Sequence, residues 1–300
     1  MSAREYRDTL DGRLSSQTVK LVATPSEYDE LLPSARIITG FEIDAEAVDR
    51  AANLELFACT FAGTDHLPLS AFEANDVQVT NASGVHGPNA AEQVLASVLS
   101  FARGLDHGWA QSQAGTWSHY QADELYGSTV TVVGMGSIGG AIIDRLAPFG
   151  VETIGVRNSP SKGGDADTVV GIEQLPEILP RTDYLVLACP LADETTQLVD
   201  TAALERLPPD SVVVDIARGQ VVDTDALHAA LQTNELRGAA LDVTDPEPLP
   251  DDHPLWSHNN CLITPHNAGH TPRYWDRMAD IIAENVDRLE TDEPLRNQAN

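Results

Sequence analysis

Residues 129 to 146, TVTVVGMGSIGGAIIDRL, constrain the fold more than any other stretch of the chain. The run from Thr129 to Val133 is β-branched throughout and reads as a buried strand. Glycines follow at 134, 136 and 139, and Ile138, Ala141, Ile142 and Leu146 recur at helical spacing. Strand, glycine turn and helix in that order predict a βα unit, and each glycine has its own task in it. Gly134 permits the tight turn, Gly136 lets backbone come close to a pyrophosphate, and Gly139 lets helix and strand pack closely. The N–H groups and positive dipole end of the helix then favour phosphate. Stripped of its flanks the pattern would read as an ordinary tight βα turn; with them it predicts a dinucleotide-binding turn.

The chain around it repeats the alternation. VETIGV (151–156), TVVG (168–171), YLVLAC (184–189), SVVVDIA (211–217), GAALDV (238–243) and CLITP (261–265) are nearly continuous apolar runs with helix-compatible segments between most of them. Such runs belong to a parallel sheet covered on both faces. Upstream, VKLVAT (19–24), ARIITG, LELFACT and VQVTN form a weaker set of four strand candidates, which predicts a second parallel α/β sheet. Residues 1–18 are polar with only weak helical periodicity. Asn89 to Arg103 reads as a long apolar helix, and 104–125 as a connector or arm whose Trp109 and Trp117 are core anchors or oligomer contacts. A last helix is predicted from Tyr274 to Leu289. At 300 residues the chain exceeds one ordinary domain. The predicted class is α/β with two doubly wound parallel-sheet domains, one of residues 1–103 with 280–300 and one of residues 104–279.

Charge narrows the partners. There are 46 acidic against 18 basic residues, a net charge of −28, and Lys20 and Lys162 are the lysines. This excess self-repels in dilute buffer and suits molar salt, where the Debye length falls to about 3 Å. The composition predicts a halophilic cytoplasmic protein that avoids nucleic acid and anionic membranes. An acidic disordered chain is disfavoured by 42% hydrophobic residues. Cys59, Cys189 and Cys261 sit in apolar runs without Cys-x-x-Cys spacing, so buried free thiols are expected, with no disulfide frame and no metal site. The N-terminal residues lack a signal-peptide core, and no segment approaches 18 apolar residues.

Ligands of open α/β sheets gather beyond the carboxyl ends of the strands. At the end of the second strand of a dinucleotide fold a carboxylate usually meets the adenine ribose, but here the strand runs into Arg157, Asn158 and Ser159, with Lys162 close behind. Arginine matches a 2′-phosphate bidentately where a carboxylate would repel it, so NADP(H) is predicted over NAD(H), with NAD(H) also admitted. A solvated basic loop among acidic neighbours is the alternative. Three further residues stand after late strands: Arg218, Glu247 and His266. A 2-keto acid reductase needs a cation for the substrate, a proton donor for the nascent alkoxide, and a carboxylate beside that donor. Taken singly, each has another reading: Arg218 as a surface ion pair, Glu247 as one acid among many, His266 as a buried structural imidazole.

GMGSIG, DIARGQVVD (215–223), GAALDVTDPEPLP (238–250) and TPHNAG (264–269) together resemble the D-isomer-specific 2-hydroxyacid dehydrogenase family, in its order and near its spacings. AGTDHL and NASGVHGPNAAEQ resemble it more loosely. The resemblance implies a flavodoxin-like substrate domain and a Rossmann cofactor domain that close over the substrate, with pairing into a homodimer through the cofactor domains. It implies that Arg218 binds the substrate carboxylate and carbonyl, Glu247 hydrogen-bonds to His266 and raises its pKa, and His266 exchanges the proton. Asp242 would hold the nicotinamide amide, and backbone around Gly63, Gly84 and Val85 the substrate carboxylate. The loops Phe61 to Leu67 and His86 to Asn89 are expected to line the pocket for the substrate's side chain, with Thr64, Val85 and Tyr274 as contacts. His270 is a lesser rival to His266. The cofactor set is completed by Met135, Ser137, Ile138, Cys189, Pro190, Thr195, Ile216 and Ala217. The expected activity is NADPH-dependent reduction of 2-keto acids to D-2-hydroxy acids. The alternatives are a dinucleotide-sensing binding protein, glyoxylate or hydroxypyruvate reduction, and formate or phosphite oxidation; Glu247 disfavours the formate reading because formate enzymes of this superfamily carry glutamine there.

Overall fold

The computed structural model describes residues 3–300. The chain opens on α1 (Ala3–Arg13) and α2 (Pro25–Leu31). VKLVAT, expected as a strand, forms none. Its N–H groups at Ala23 and Thr24 donate to the Glu27 carboxylate, and the Thr24 hydroxyl accepts from Glu27 N. The run thus ends as the capping box of α2, and Val22 stays 40% exposed. Then come β1 (Ile37–Gly40), α3 (Ala45–Arg50), β2 (Leu56–Cys59), α4 (Leu69–Ala74) and β3 (Gln78–Thr80). The three strands are parallel, in the order β1-β2-β3, one fewer than the four runs suggested. Leu32, Val48, Phe57, Phe72 and Val79 fill the core on one side of this sheet.

The middle of the chain continues with α5 (Gly87–Arg103), α6 (Leu105–Gln113), β4 (Thr129–Val133), α7 (Ser137–Leu146), β5 (Glu152–Val156), β6 (Thr168–Val170), α8 (Leu175–Ile178) and β7 (Tyr184–Leu187). It closes with α9 (Thr201–Leu204), β8 (Val212–Asp215), α10 (Thr224–Thr233), β9 (Gly238–Leu241) and β10 (Cys261–Ile263). The seven predicted strands form one parallel sheet in the order β10-β9-β8-β7-β4-β5-β6. Chain order reverses across β4, which pairs with β5 on one side and β7 on the other. That is the switch point where a crevice opens beyond the strand ends. Apolar clusters line both faces of the sheet, as expected for strands without polar alternation. The last helix, α11 (Tyr274–Thr291), packs on α1 through Met278, Ile281 and Ile282 against Tyr6 and Leu10.

Two compact units result: one extends to Val85 and resumes over Thr271–Asn300, the other is His86–His270. These borders differ from those read in the sequence, for packing reasons. Val94, Val98 and Phe101 of α5 bury against Val130 and against Ile142 and Ile143 of α7, so the whole helix belongs to the second unit. All of α11 belongs to the first. The arm that follows α5 contains α6, which has no buried residue, and Trp109 and Trp117 are 71% and 95% exposed, which removes the core-anchor reading. Among the described residues no helix is long and apolar enough to cross a membrane. Cys59 and Cys189 are buried and Cys261 is half-buried, all as free thiols. Burial raises all three, Cys189 to about 11 and Cys261 to about 12.

Candidate active site

The glycine turn has the geometry its sequence requires. Gly134 adopts φ +101°, and a side chain there would meet the Ala188 carbonyl and Cys189 N at 2.6 Å. A Cβ on Gly139 would lie 1.8 Å from the Gly134 carbonyl oxygen, so helix and strand touch through backbone alone. At Gly136 nothing lies within 4 Å, leaving open approach to the start of α7. A cavity of about 300 Å³ opens here, lined by the Gly134–Gly136 turn, Arg157, Asn158, Ser159, Lys162, Cys189, Pro190, Glu194 and Thr195. The cradle that only glycine fits, beside a helix start, suits the pyrophosphate of a dinucleotide. Ser137, Ile138 and Gly139 form the first turn of α7. The Thr195 hydroxyl donates to Pro190 O and accepts from Ala192 N, both at 2.8 Å, so it shapes the loop as well as lining it.

Arg157 donates to the Gly163 carbonyl at 2.7 Å, and Asn158 Nδ2 to Glu194 Oε1 at 2.6 Å. Glu194 escaped the sequence reading because it reaches this loop from the segment after β7 and not from the end of β5, where a ribose-binding acid is usually sought.

Three neighbouring strands end level with one another: Asp215 pairs across to Leu241, and Leu241 to Ile263. Arg218, Glu247 and His266 follow these ends, on the loops after β8, β9 and β10. A Cβ on Gly219 would lie 2.0 Å from the Thr244 carbonyl carbon, so the turn after Arg218 rests directly on the backbone leading to Glu247. Arg218 is exposed and donates to its neighbour's Ala217 carbonyl at 2.6 Å. His266 Nδ1 lies 2.7 Å from Glu247 Oε1, with both side chains a little under half exposed. His270 makes no carboxylate pair among the described residues, and the partner of Glu247 is His266.

Asp242 has a structural role that the sequence did not suggest. Its Oδ1 accepts from the Thr264 hydroxyl at 2.5 Å and from Asn267 N at 2.9 Å, and its Oδ2 accepts from Ala268 N at 2.8 Å. Its backbone oxygen accepts His266 N at 2.8 Å. This 4% exposed carboxylate therefore binds the loop around His266, whose backbone sits at φ +53°, and Oδ2 keeps one lone pair for a ligand. Ile216 and Asp242 line a second cavity of about 200 Å³ with Gln93, Ser97 and Thr264. Asp215 is 1% exposed at the end of β8. Oδ1 accepts from Ala217 N, and Oδ2 has no hydrogen-bond partner among the described residues. Burial raises its pKa to about 8.

In the first unit, the loops after β2 and β3 are joined by Ala82 N donating to Phe61 O at 3.0 Å. Gly84 adopts φ +88°, and neither Gly63 nor Gly84 has any atom near its missing Cβ. Val85 is buried, its carbonyl accepts from Arg277 at 2.7 Å and its N–H donates to Ala82 O at 3.2 Å, so both its backbone groups are engaged within the fold. Thr64 O accepts from Leu67 N, and the Tyr274 hydroxyl donates to the Thr60 carbonyl, so that hydroxyl is engaged within the fold.

Residues 95–268 match the description "D-isomer specific 2-hydroxyacid dehydrogenase, NAD binding domain". The chain belongs to the D-isomer-specific 2-hydroxyacid dehydrogenase family. Its relatives in this family include glyoxylate reductase/hydroxypyruvate reductase of Homo sapiens, 32% identical over 251 residues, which are 81% of this chain and 76% of the human protein. D-3-phosphoglycerate dehydrogenase of Mycobacterium leprae is 32% identical over 89% of this chain, which spans half of that longer protein. The structure of a family member from Xanthobacter autotrophicus Py2, in complex with NADPH and MES, is 28% identical and superimposes with a TM-score of 0.77, covering 100% of this chain and 95% of that one. This 2-hydroxyacid dehydrogenase is thus an NAD(P)-dependent oxidoreductase with the family's two parallel-sheet α/β units.

Proposed function

We propose that the enzyme reduces 2-keto acids to D-2-hydroxy acids, with NADPH preferred over NADH. The observation that carries this is the 2.7 Å contact between His266 and Glu247 on the loops after β10 and β9, beside the loop of Arg218. The bound dinucleotide supplies the hydride received by the keto carbon. Arg218 holds and polarises the carbonyl, where a planar guanidinium can offer two N–H groups. His266 gives its proton to the carbonyl oxygen as C=O becomes CH–OH, and Glu247 keeps the imidazole oriented and favours its charged form. Backbone at Gly63 and Gly84 is assigned to the substrate carboxylate, with Val85, whose own N–H and carbonyl are engaged, holding that loop in place, and Asp242 Oδ2 is assigned to the nicotinamide amide.

The cofactor preference rests on Arg157 and Lys162 lining the turn cavity, with no acid at the end of β5. Glu194 in the same lining favours a second reading, in which a ribose hydroxyl of NADH donates to this carboxylate. We further assign the enzyme to a halophilic cytoplasm, from its charge, and to a homodimer through the cofactor unit, from the exposed Trp109 and Trp117 of the arm. The test is a panel of glyoxylate, hydroxypyruvate, pyruvate and branched keto acids with NADPH and NADH at molar salt. A substrate-dependent loss of absorbance at 340 nm, giving the D acid, supports the reading; no turnover of any keto acid refutes it and leaves the sensor alternative.

A further inference from the structure

Within the first unit, the large hydrophobic side chains that stay exposed among the described residues are Val22, Phe41 and Phe61. Two of the three are phenylalanines in contact. Phe41, just past β1, is 47% exposed and meets Phe61, just past β2, edge to face at 4.7 Å between centroids. His66 stacks on Phe41 at 4.6 Å between centroids and 15°. Its Nε2 lies 2.8 Å from the Phe41 carbonyl, which can only accept, so Nε2 carries the hydrogen and the ring is locked in place. Phe61 N also donates to the buried Cys59 sulfur, and Phe61 O accepts from Ala82 N. The aromatic group is therefore rigid and is hydrogen-bonded into the same two loops that carry Gly63, Gly84 and Val85.

Exposing two phenylalanines on a chain with net charge −28 runs against its surface composition, and a rigid pair at strand carboxyl ends is poised to receive a ring. The chemistry around it disfavours an anionic tail. Segments 41–44 and 61–67 contain no lysine or arginine, while Glu42, Asp44 and Asp65 are exposed acids within them. A phosphoryl or carboxylate side chain would find no lysine or arginine there and three carboxylates of its own sign.

Resting on the reductase reading above, we infer that Phe41, Phe61 and His66 form the subsite for the substrate's side chain, and that the enzyme prefers 2-keto acids bearing an aromatic or bulky apolar group. The reaction is unchanged: the keto carbon gains a hydride, its oxygen gains a proton, and the reduced cofactor is oxidised.

The experiment compares kcat/KM for phenylpyruvate, glyoxylate, hydroxypyruvate and 3-phosphohydroxypyruvate in the full chain and in Phe41→Ala, Phe61→Ala and Phe41→Leu. Phenylpyruvate is expected to exceed glyoxylate by about tenfold or more, and each alanine variant to lower the phenylpyruvate-to-glyoxylate ratio by about tenfold, mainly through KM. Phe41→Leu should restore part of the ratio. Both rings are exposed, so the melting temperature should hold and show that the variants are folded. A ratio indifferent to all three substitutions, or turnover of glyoxylate and hydroxypyruvate with phenylpyruvate poorest, overturns this inference while sparing the reductase reading. Absence of turnover with every keto acid overturns both.

Discussion

His266 and Glu247 are joined through the imidazole nitrogen Nδ1, at 2.7 Å, which leaves Nε2 as the nitrogen free to exchange a proton. The pair is held from below by Asp242, which takes the N–H of His266 on its backbone oxygen and those of Asn267 and Ala268 on its carboxylate. One edge of the ring is held by Glu247 and the other is left for the proton exchange proposed above, an arrangement that predicts how each partner fails.

His266→Ala removes the proposed proton donor and should lower kcat with any accepted keto acid by about a hundredfold to ten-thousandfold. Glu247→Gln keeps an acceptor for Nδ1 but removes the charge, and should cost less. Steady-state kinetics beside fluorescence titration of NADPH separates the two effects. Near-normal turnover in His266→Ala would rule out its assigned role.

Arg218→Ala should cost about a hundredfold to a thousandfold in kcat, the scale for losing one donor aimed at developing negative charge. Arg218→Lys returns charge without the planar fork, so recovery should be partial. A rise in KM alone, with kcat untouched, would reduce Arg218 to simple substrate attraction.

The cofactor loop makes opposed predictions for two variants. Arg157→Ala should weaken NADPH about tenfold more than NADH, since only the former carries the phosphate that a guanidinium meets. Glu194→Gln should shift the balance the other way, toward NADPH. Isothermal titration with each cofactor reads both, and a wild-type protein that binds NADH as tightly as NADPH would remove the preference.

Asp215 predicts a pH dependence of stability. Burial lifts its carboxyl to about 8 from an unfolded value near 4, so the folded chain binds the proton that the unfolded chain releases. Its contribution is complete below about pH 4 and is lost as the pH climbs to about 8, where it levels off. Asp215→Asn has no such proton and should gain on the wild type across that interval, by at most about 1.4 kcal/mol per pH unit. Denaturant melts at several pH values at fixed molar salt check this; parallel curves for the two proteins would show that Asp215 is ionised within the fold.

The glycine turn and the seven strands of the second unit were legible because buried parallel strands read as unbroken apolar runs and because Gly134 and Gly139 admit no substitute. Arg218, Glu247 and His266 were legible as residues just past strand ends, though only the register of β8, β9 and β10 brings those ends level. The first unit was less so. VKLVAT has strand composition, but a capping box four residues long captured its last N–H groups, which no count of apolar residues reveals. Both unit borders slipped because a helix's allegiance depends on which face it buries: α5 turns Val94, Val98 and Phe101 toward α7, while α11 turns Ile281 and Ile282 toward α1. Glu194, the hold of Asp242 on the loop around His266 and the unpartnered oxygen of Asp215 follow from long-range approach and have no local signature.

The sheltered sulfurs make this enzyme its own unfolding gauge. A thiolate is the reactive form of cysteine, and burial has pushed Cys189 and Cys261 to about 11 and about 12, so a maleimide or Ellman's reagent meets almost none of it while the fold is closed. Modification must wait for the chain to open. Because Cys59 lies in one unit and the other two in its companion, mass spectrometry of labelled peptides would time the opening of each half separately, without any engineered probe.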